Sequence, residues 1–179
     1  MNLFKKYIEK NLRKKFNKTE QQVILLFESL AMVNKPTLEF NYNSDKYKNC
    51  EGIYYDLLNE KPNHILINLT QIKNKQKVII VLCHELGHYY HFTERYEDFI
   101  KLKLIRKNSK KGQTIEFLKA VTTLENCADE YGKLFAKKFG CFIEFDKYAT
   151  NIKREREELD IEYLAIMAQQ PTLSLEVSL

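Results

Sequence analysis

The chain contains no tryptophan and has few glycines and prolines, five and three among 179 residues. This composition excludes collagen-like and proline-rich low-complexity proteins and leaves little room for a long flexible linker. Apolar runs such as 23–27 and 78–83 are far shorter than the roughly 20 residues that a membrane-spanning helix needs. We therefore expect a folded protein without a membrane span.

Arginine and cysteine are also scarce. Only five of the 29 basic residues are arginines, and the net charge is +5. Because arginine makes the commonest specific contacts to bases, this composition disfavours a nucleic-acid partner. The four cysteines include no C-x-x-C pair, and residues 1–6 lack the apolar core of a signal peptide. These features favour a cytoplasmic protein with reduced thiols.

The rest of the sequence alternates between helical and extended patterns. Its length, with 44% apolar residues, suits one domain with a hydrophobic core. Apolar residues at four-residue steps predict an amphipathic helix over 2–16, and Thr19 is expected to cap a second helix that ends at about Val33. Further helices are expected at 75–95, 113–139 and 146–168, with a loop at 107–113.

Three short extended segments lie between these helices and predict a small sheet of about three strands, antiparallel or mixed. The segments are 37–42, 52–57 and 64–69. The fold class is therefore α+β and mostly helical. The alternating apolar residues after Pro171 are interpreted first as a disordered tail, with a strand or a segment in the cleft as alternatives.

The helix expected at 75–95 carries His84-Glu85-Leu86-Gly87-His88. A helix turns about 100° per residue, so imidazoles four residues apart point about 40° apart and can bind one metal ion. Glu85 lies on the flank of that face, where it can reach a water at the site but is poorly placed as a ligand. Leu86 points inward, and Gly87 lets another segment approach.

Two histidines leave a catalytic zinc short of the three protein ligands that such sites normally have. In the helix expected at 113–139, Glu125 and Asp129 share one face with the small residues Ala128 and Gly132. We assign Glu125 as the third ligand and Asp129 as the acceptor for the N–H of a ligand imidazole. Asp129 itself is the main alternative as third ligand.

The run from Cys83 to His91, followed by Glu125-x-x-Ala128-Asp129, resembles the ImmA/IrrE family of zinc metallo-endopeptidases. The resemblance spans about residues 50–140 and includes the segments Gly52-Ile53-Tyr54-Tyr55 and Ile65-Leu66-Ile67-Asn68. It implies a single metallopeptidase-like domain with a zincin-like core. In that domain, 1–35 form N-terminal helices, 36–140 the core, 141–170 C-terminal helices and 171–179 a tail.

The resemblance also implies an activity. Zn²⁺ would be held by His84, His88 and Glu125, and Glu85 would be the catalytic base of peptide-bond hydrolysis. The implied substrate is a regulatory, repressor-like protein of a bacterial or phage mobile element or stress response. A substrate strand is expected to pair with the edge of the sheet at 64–69.

Hydrolysis also needs a donor for the developing oxyanion, and several side chains could fill that role or form the rim of the cleft. The candidates are Tyr89, Tyr90, His91, Tyr131 and Tyr163. A function of another class is a non-proteolytic module that binds zinc for stability and sequesters a protein partner. Such a module has no use for a general base, so the presence of Glu85 favours the enzyme.

Overall fold

A computed structural model describes residues 17–43, 50–56, 63–72, 74–108 and 115–169, with side chains as far as residue 161. The predicted helix at 2–16, most of the predicted loop at 107–113 and the tail after Pro171 lie outside these residues. The side chain of Tyr163 lies outside them as well.

The described residues form five helices and three strands, which confirms the α+β class. The helices are α1 (Lys18–Glu28), α2 (Lys75–Glu94), α3 (Tyr96–Asn108), α4 (Ile115–Phe139) and α5 (Phe142–Gln169). The strands are β1 (Thr37–Asn41), β2 (Gly52–Tyr55) and β3 (His64–Asn68). None of the helices in this part of the chain is long and apolar enough to span a membrane.

Helix α1 has its N-cap at Asn17, two residues before the predicted cap. The side chain of Asn17 accepts hydrogen bonds from the amides of Thr19 and Glu20, and the Glu20 side chain accepts one from the Asn17 amide. This reciprocal pair satisfies amides that would otherwise lack partners at the helix start. The prediction of Thr19 as the cap is therefore wrong, and so is the predicted end at Val33, because the helix ends at Glu28.

The sheet is mixed, one of the two expected arrangements. Its order is β1-β3-β2, with β1 parallel and β2 antiparallel to β3. All five residues of β3 are buried, as befits a central strand. Since both edges of β3 are already paired, the prediction that a substrate strand pairs at 64–69 is wrong. An edge of the sheet belongs instead to β2, which lies against α2.

Helix α2 runs through the core, as its apolar beginning predicts. Residues 78–87 are all buried, and Leu86 is fully inaccessible. Helix α4 packs closely on α2, because Gly87 has no side chain to hold it away. A Cβ atom at Gly87 would overlap the backbone carbonyl oxygen of Ala128. One at Gly132 would lie 2.5 Å from Cζ of Phe145 and 3.0 Å from the carbonyl oxygen of Cys83.

Two helical segments differ from the prediction. Helix α3 occupies residues to which the sequence pattern gave no element, and of its described side chains only Phe99 is buried. Its apolar residues are spread around the helix rather than gathered on one face, so the sequence has no clear helical period there. Helix α5 begins at Phe142 rather than at about 146, directly after Gly140, which has a φ of 72° and ends α4.

Candidate metal centre

Helix α2 places His84 and His88 one turn apart on the face that meets α4. Their ring centroids lie 4.7 Å apart. Nε2 of His84 lies 3.2 Å from Oε2 of Glu125, and Nε2 of His88 lies 3.4 Å from Oε1 of the same carboxylate. Helix α4 thus brings Glu125 to both imidazoles, and one potential ligand atom from each residue lies within 4.8 Å of the others.

These separations fit one zinc ion. Ligand atoms 2.0–2.1 Å from a tetrahedral zinc lie roughly 3.3 Å from one another. The two distances between imidazole nitrogen and carboxylate oxygen, 3.2 and 3.4 Å, are close to that value, and each ends on a different oxygen of Glu125. Two imidazoles and one carboxylate leave a fourth position for water, which is the ligand set of a catalytic rather than a structural zinc site.

Asp129 orients His84. Its Oδ1 lies 2.8 Å from Nδ1 of His84, so the imidazole donates a hydrogen bond to the buried carboxylate through Nδ1. With the proton of Nδ1 held in this way, Nε2 is the nitrogen that would bind a metal ion, in place of the proton that it otherwise directs toward Glu125. Asp129 thus lies against one of the predicted ligands, His84, whereas Glu125 lies within 3.4 Å of both histidines.

Glu85 lies beside the histidines but outside the set that converges on one point. Its side chain is buried, and a Cβ atom at Gly52 would lie 2.5 Å from its Oε1. The absence of a side chain at Gly52 therefore makes room for this carboxylate between α2 and β2. Burial raises the pKa of Glu85, while the charges of His84 and His88 oppose that rise. A carboxylate with a raised pKa is suited to accept and return a proton.

The centre favours a bound cation. Burial lowers the pKa of His84, but its hydrogen bonds to Asp129 and Glu125 and the charge of Glu85 outweigh burial and raise that pKa to about 10. Burial raises the pKa of Glu125, but His88 and His84 hold it well below its ordinary value. The negative charge of these carboxylates would stabilise a divalent cation as it stabilises the proton on His84.

Arg156 reaches this centre from α5, and no sequence pattern predicts it. One of its terminal nitrogens lies 2.9 Å from Oδ2 of Asp129, and the other lies 3.3 Å from Oε2 of Glu125. It also donates to the side chain of Asn126. A basic residue on an exposed-looking, highly charged helix carries no local signal of such a contact, so only the packing of α5 on α4 reveals it.

The sequence also suggests residues for the oxyanion donor or the rim of the cleft. Those whose side chains are described lie away from the metal centre. Tyr89 donates a hydrogen bond to the carbonyl of Val33, and Tyr90 stacks on Tyr131 with ring centroids 5.0 Å apart. Tyr89 and Tyr90 line a separate groove of about 600 Å³ near the end of α1.

His91 is fully buried, and its Nε2 lies 3.0 Å from Oδ2 of Asp98. The expectation that His91 lies at the surface or rim is therefore wrong. The reason is that α3, which the sequence did not predict, covers this histidine with Asp98 and Phe99.

A cleft with two unlike halves passes over the centre. Cavities of about 450 and 390 Å³ share His84, Glu85 and Glu125 in their walls. The first half is polar and includes Arg156 and Tyr148. The second half is mostly apolar, and the side chains that line it come from β2, α3 and α4. They include Ile53, Phe99, Leu102, Val121 and Leu124.

No family model, curated protein or solved structure matches this chain. The functional argument therefore depends on the geometry of the centre and on the chemistry of its side chains.

Proposed function

We propose that this protein is a zinc-dependent endopeptidase that cuts a regulatory, repressor-like protein. The observation that carries the proposal is the buried carboxylate of Glu85 beside the converging set of His84, His88 and Glu125. A site that only stores or is stabilised by zinc does not need a further buried carboxylate in contact with the cleft. The nature of the substrate rests on the resemblance of the His84–His88 and Glu125–Asp129 segments to the ImmA/IrrE family.

Each residue has a role that follows from its position. His84, His88 and Glu125 would hold the ion, and Asp129 fixes the tautomer of His84 through its 2.8 Å hydrogen bond. A zinc ion bound there supplies Lewis acidity, which activates water and polarises the scissile carbonyl. Glu85 accepts a proton from the attacking water and later delivers it to the amine nitrogen as the C–N bond breaks.

The form of the cleft supports cleavage inside a chain. Because cavities extend from the centre in two directions, a peptide can continue on both sides of the scissile bond. The apolar half, walled by Phe99, Leu102 and Leu124, suits an apolar substrate side chain. Strand β2 lies next to both halves and forms an edge of the sheet, so an extended substrate segment has backbone groups to pair with.

The proposal is tested by comparing zinc-loaded wild type with Glu85→Gln, which keeps the size of the side chain and removes the base. Each protein is incubated with an extract of bacterial cells, and new protein N termini are labelled and sequenced. We expect cleavage sites that appear with wild type and decrease by about 100-fold or more with Glu85→Gln. Glu130→Gln, an exposed change of the same kind on α4, is the matched control.

Two outcomes would contradict the enzyme. One is that wild type produces no new N termini although it is fully loaded with zinc. The other is that Glu85→Gln produces the same N termini at the same rate. If zinc content and partner binding survive in Glu85→Gln while neither protein cuts, the non-proteolytic module is the correct function.

A further inference from the structure

We infer that Arg156 is the residue that binds the carbonyl oxygen of the scissile bond and stabilises the negative charge that develops on it. The inference rests on the proposed function and adds a part of the site that the sequence did not reveal. Of the five donors expected from the sequence, Tyr163 has a side chain outside the described part of the structure, and the other four, Tyr89, Tyr90, His91 and Tyr131, are not among the described residues that line the two halves of the cleft.

The position of Arg156 follows from its contacts with α4. One terminal nitrogen is held by Asp129 at 2.9 Å and by Asn126 at 3.3 Å. The other lies 3.3 Å from the same oxygen of Glu125 that lies 3.2 Å from Nε2 of His84. A single carboxylate oxygen thus connects the guanidinium to the metal-binding face, within one hydrogen-bond length on each side.

The guanidinium retains donors for a substrate. Arginine has five N–H groups in a planar fork and no acceptor. The contacts with Asn126, Asp129 and Glu125 use three of them, and the described part of the chain supplies no partner for the other two. Arg156 lines the polar half of the cleft together with Glu85, so this arginine borders the space that a substrate carbonyl would enter.

The chemistry requires such a donor. When water attacks, its oxygen bonds to the carbonyl carbon, the C=O electron pair moves onto the carbonyl oxygen, and the water's proton goes to Glu85. The carbonyl oxygen therefore becomes negative. When the C–N bond breaks, the electron pair on the carbonyl oxygen re-forms the C=O bond, and the proton passes from Glu85 to the departing amine. A cationic N–H donor lowers the energy of the charged stage more than that of the neutral substrate.

Tyr148 is the competing donor, because its side chain lines the same half of the cleft. Burial raises the pKa of its hydroxyl, which remains neutral and is a weaker donor than a guanidinium. Arg156 is favoured because its guanidinium contacts both Glu125 and Asp129 of the centre.

The test uses two inhibitors that share a leucyl-alanine part and bind zinc through different groups. One ends in a phosphoryl group, whose tetrahedral anionic oxygens resemble the charged stage, and the other ends in a planar hydroxamate. Their dissociation constants are measured by calorimetry at saturating zinc for wild type, Arg156→Gln, Arg156→Lys and Tyr148→Phe. Arg154→Gln is the matched control, since it removes the same charge from an exposed position on the same helix.

We expect Arg156→Gln to weaken binding of the phosphoryl inhibitor by about 10- to 100-fold and to change binding of the hydroxamate much less. Arg156→Lys should lose less affinity for the phosphoryl inhibitor, because lysine keeps the positive charge although it lacks the planar guanidinium. Arg154→Gln and Tyr148→Phe should resemble wild type. Zinc stoichiometry should stay the same in all variants, which distinguishes substrate binding from support of the metal ligands.

Several results would overturn the inference. Equal weakening of both inhibitors, or loss of zinc in Arg156→Gln, would show that Arg156 only supports Glu125 and Asp129. Loss of phosphoryl binding in Tyr148→Phe alone would make Tyr148 the donor. If Arg156→Gln weakened neither inhibitor, Arg156 would have no role in binding. A wild type that binds no zinc would instead contradict the proposed function itself.

Discussion

Asp129 has two partners at the centre, and each affects the metal site. It accepts from Nδ1 of His84 at 2.8 Å and from Arg156 at 2.9 Å, and it is almost fully buried. A carboxylate in this position fixes the ring of the ligand and makes its Nε2 more basic. Since the charge of Asp129 is balanced by Arg156, the pair holds α4 and α5 together at the site.

We expect Asp129→Asn to fold and to bind zinc about 10- to 100-fold more weakly than wild type, because a neutral amide is a weaker acceptor for the imidazole. Zinc affinity is measured by competition with a chelating dye. Glu130→Gln is the control, since it makes the same chemical change at the next residue, whose side chain is 72% exposed. Equal zinc affinity in Asp129→Asn and wild type would refute the role given to Asp129.

Individual site residues differ in how far the sequence could predict them. His84, Glu85 and His88 lie on one helix, where a spacing of four residues fixes their relative directions. Predicting Glu125 as a ligand required only a second helix that carries small residues on the same face as Glu125. Arg156 could not be predicted, because it meets Asp129 across 27 residues of sequence and nothing local distinguishes it from Arg154.

The contact between α2 and α4 decides whether the ligands meet. Gly87 and Gly132 both lie at this contact, but their neighbours differ. A Cβ atom at Gly87 would overlap the backbone of Ala128, which cannot move without moving α4. A Cβ atom at Gly132 would come closest to the ring of the buried Phe145, and its nearest backbone contact would be the carbonyl oxygen of Cys83 at 3.0 Å. Both substitutions by alanine gain the same helix propensity, roughly 1 kcal/mol, so they form a matched pair.

We expect Gly87→Ala to lower the free energy of unfolding by about 2–3 kcal/mol and Gly132→Ala to lower it by clearly less, because the Cβ atom overlaps a backbone atom at Gly87 but lies 3.0 Å from the nearest one at Gly132. Urea unfolding of the metal-free proteins measures this difference. Zinc affinity should fall with Gly87→Ala as well, since α4 carries Glu125. A Gly132→Ala variant less stable than Gly87→Ala would contradict this view of the helix contact.

The sequence predicts a helix or strand well where its apolar residues follow a single clear pattern. Helix α2 was predicted over 75–95 because its apolar beginning and motif agree, and the structure gives Lys75–Glu94. The strands were predicted as short extended segments, but their order depends on contacts between distant residues, so the central position of β3 was missed. Helix α3 is missing from the prediction, and its residues are the ones that bury His91. The sequence therefore puts His91 wrongly at the rim.

At the scale of the molecule, the centre joins elements that are far apart in the sequence. Helix α2 supplies His84 and His88, α4 supplies Glu125, β2 makes room for Glu85 and α5 closes the polar side through Arg156. A metal ion held by α2 and α4 would bind the folded chain and not the unfolded one. Zinc binding should therefore stabilise the fold, by about 2.7 kcal/mol at a free zinc concentration 100 times the dissociation constant.

The zinc content of purified protein after dialysis against metal-free buffer, measured by mass spectrometry, tests the central claim most directly. Wild type and Glu85→Gln should each retain about one zinc per chain, because the proposed function makes Glu85 a base and not a ligand, whereas Glu125→Gln should retain little. The two variants make the same chemical change within one site. The claim is contradicted if wild type retains no zinc, or if Glu125→Gln retains as much zinc as Glu85→Gln.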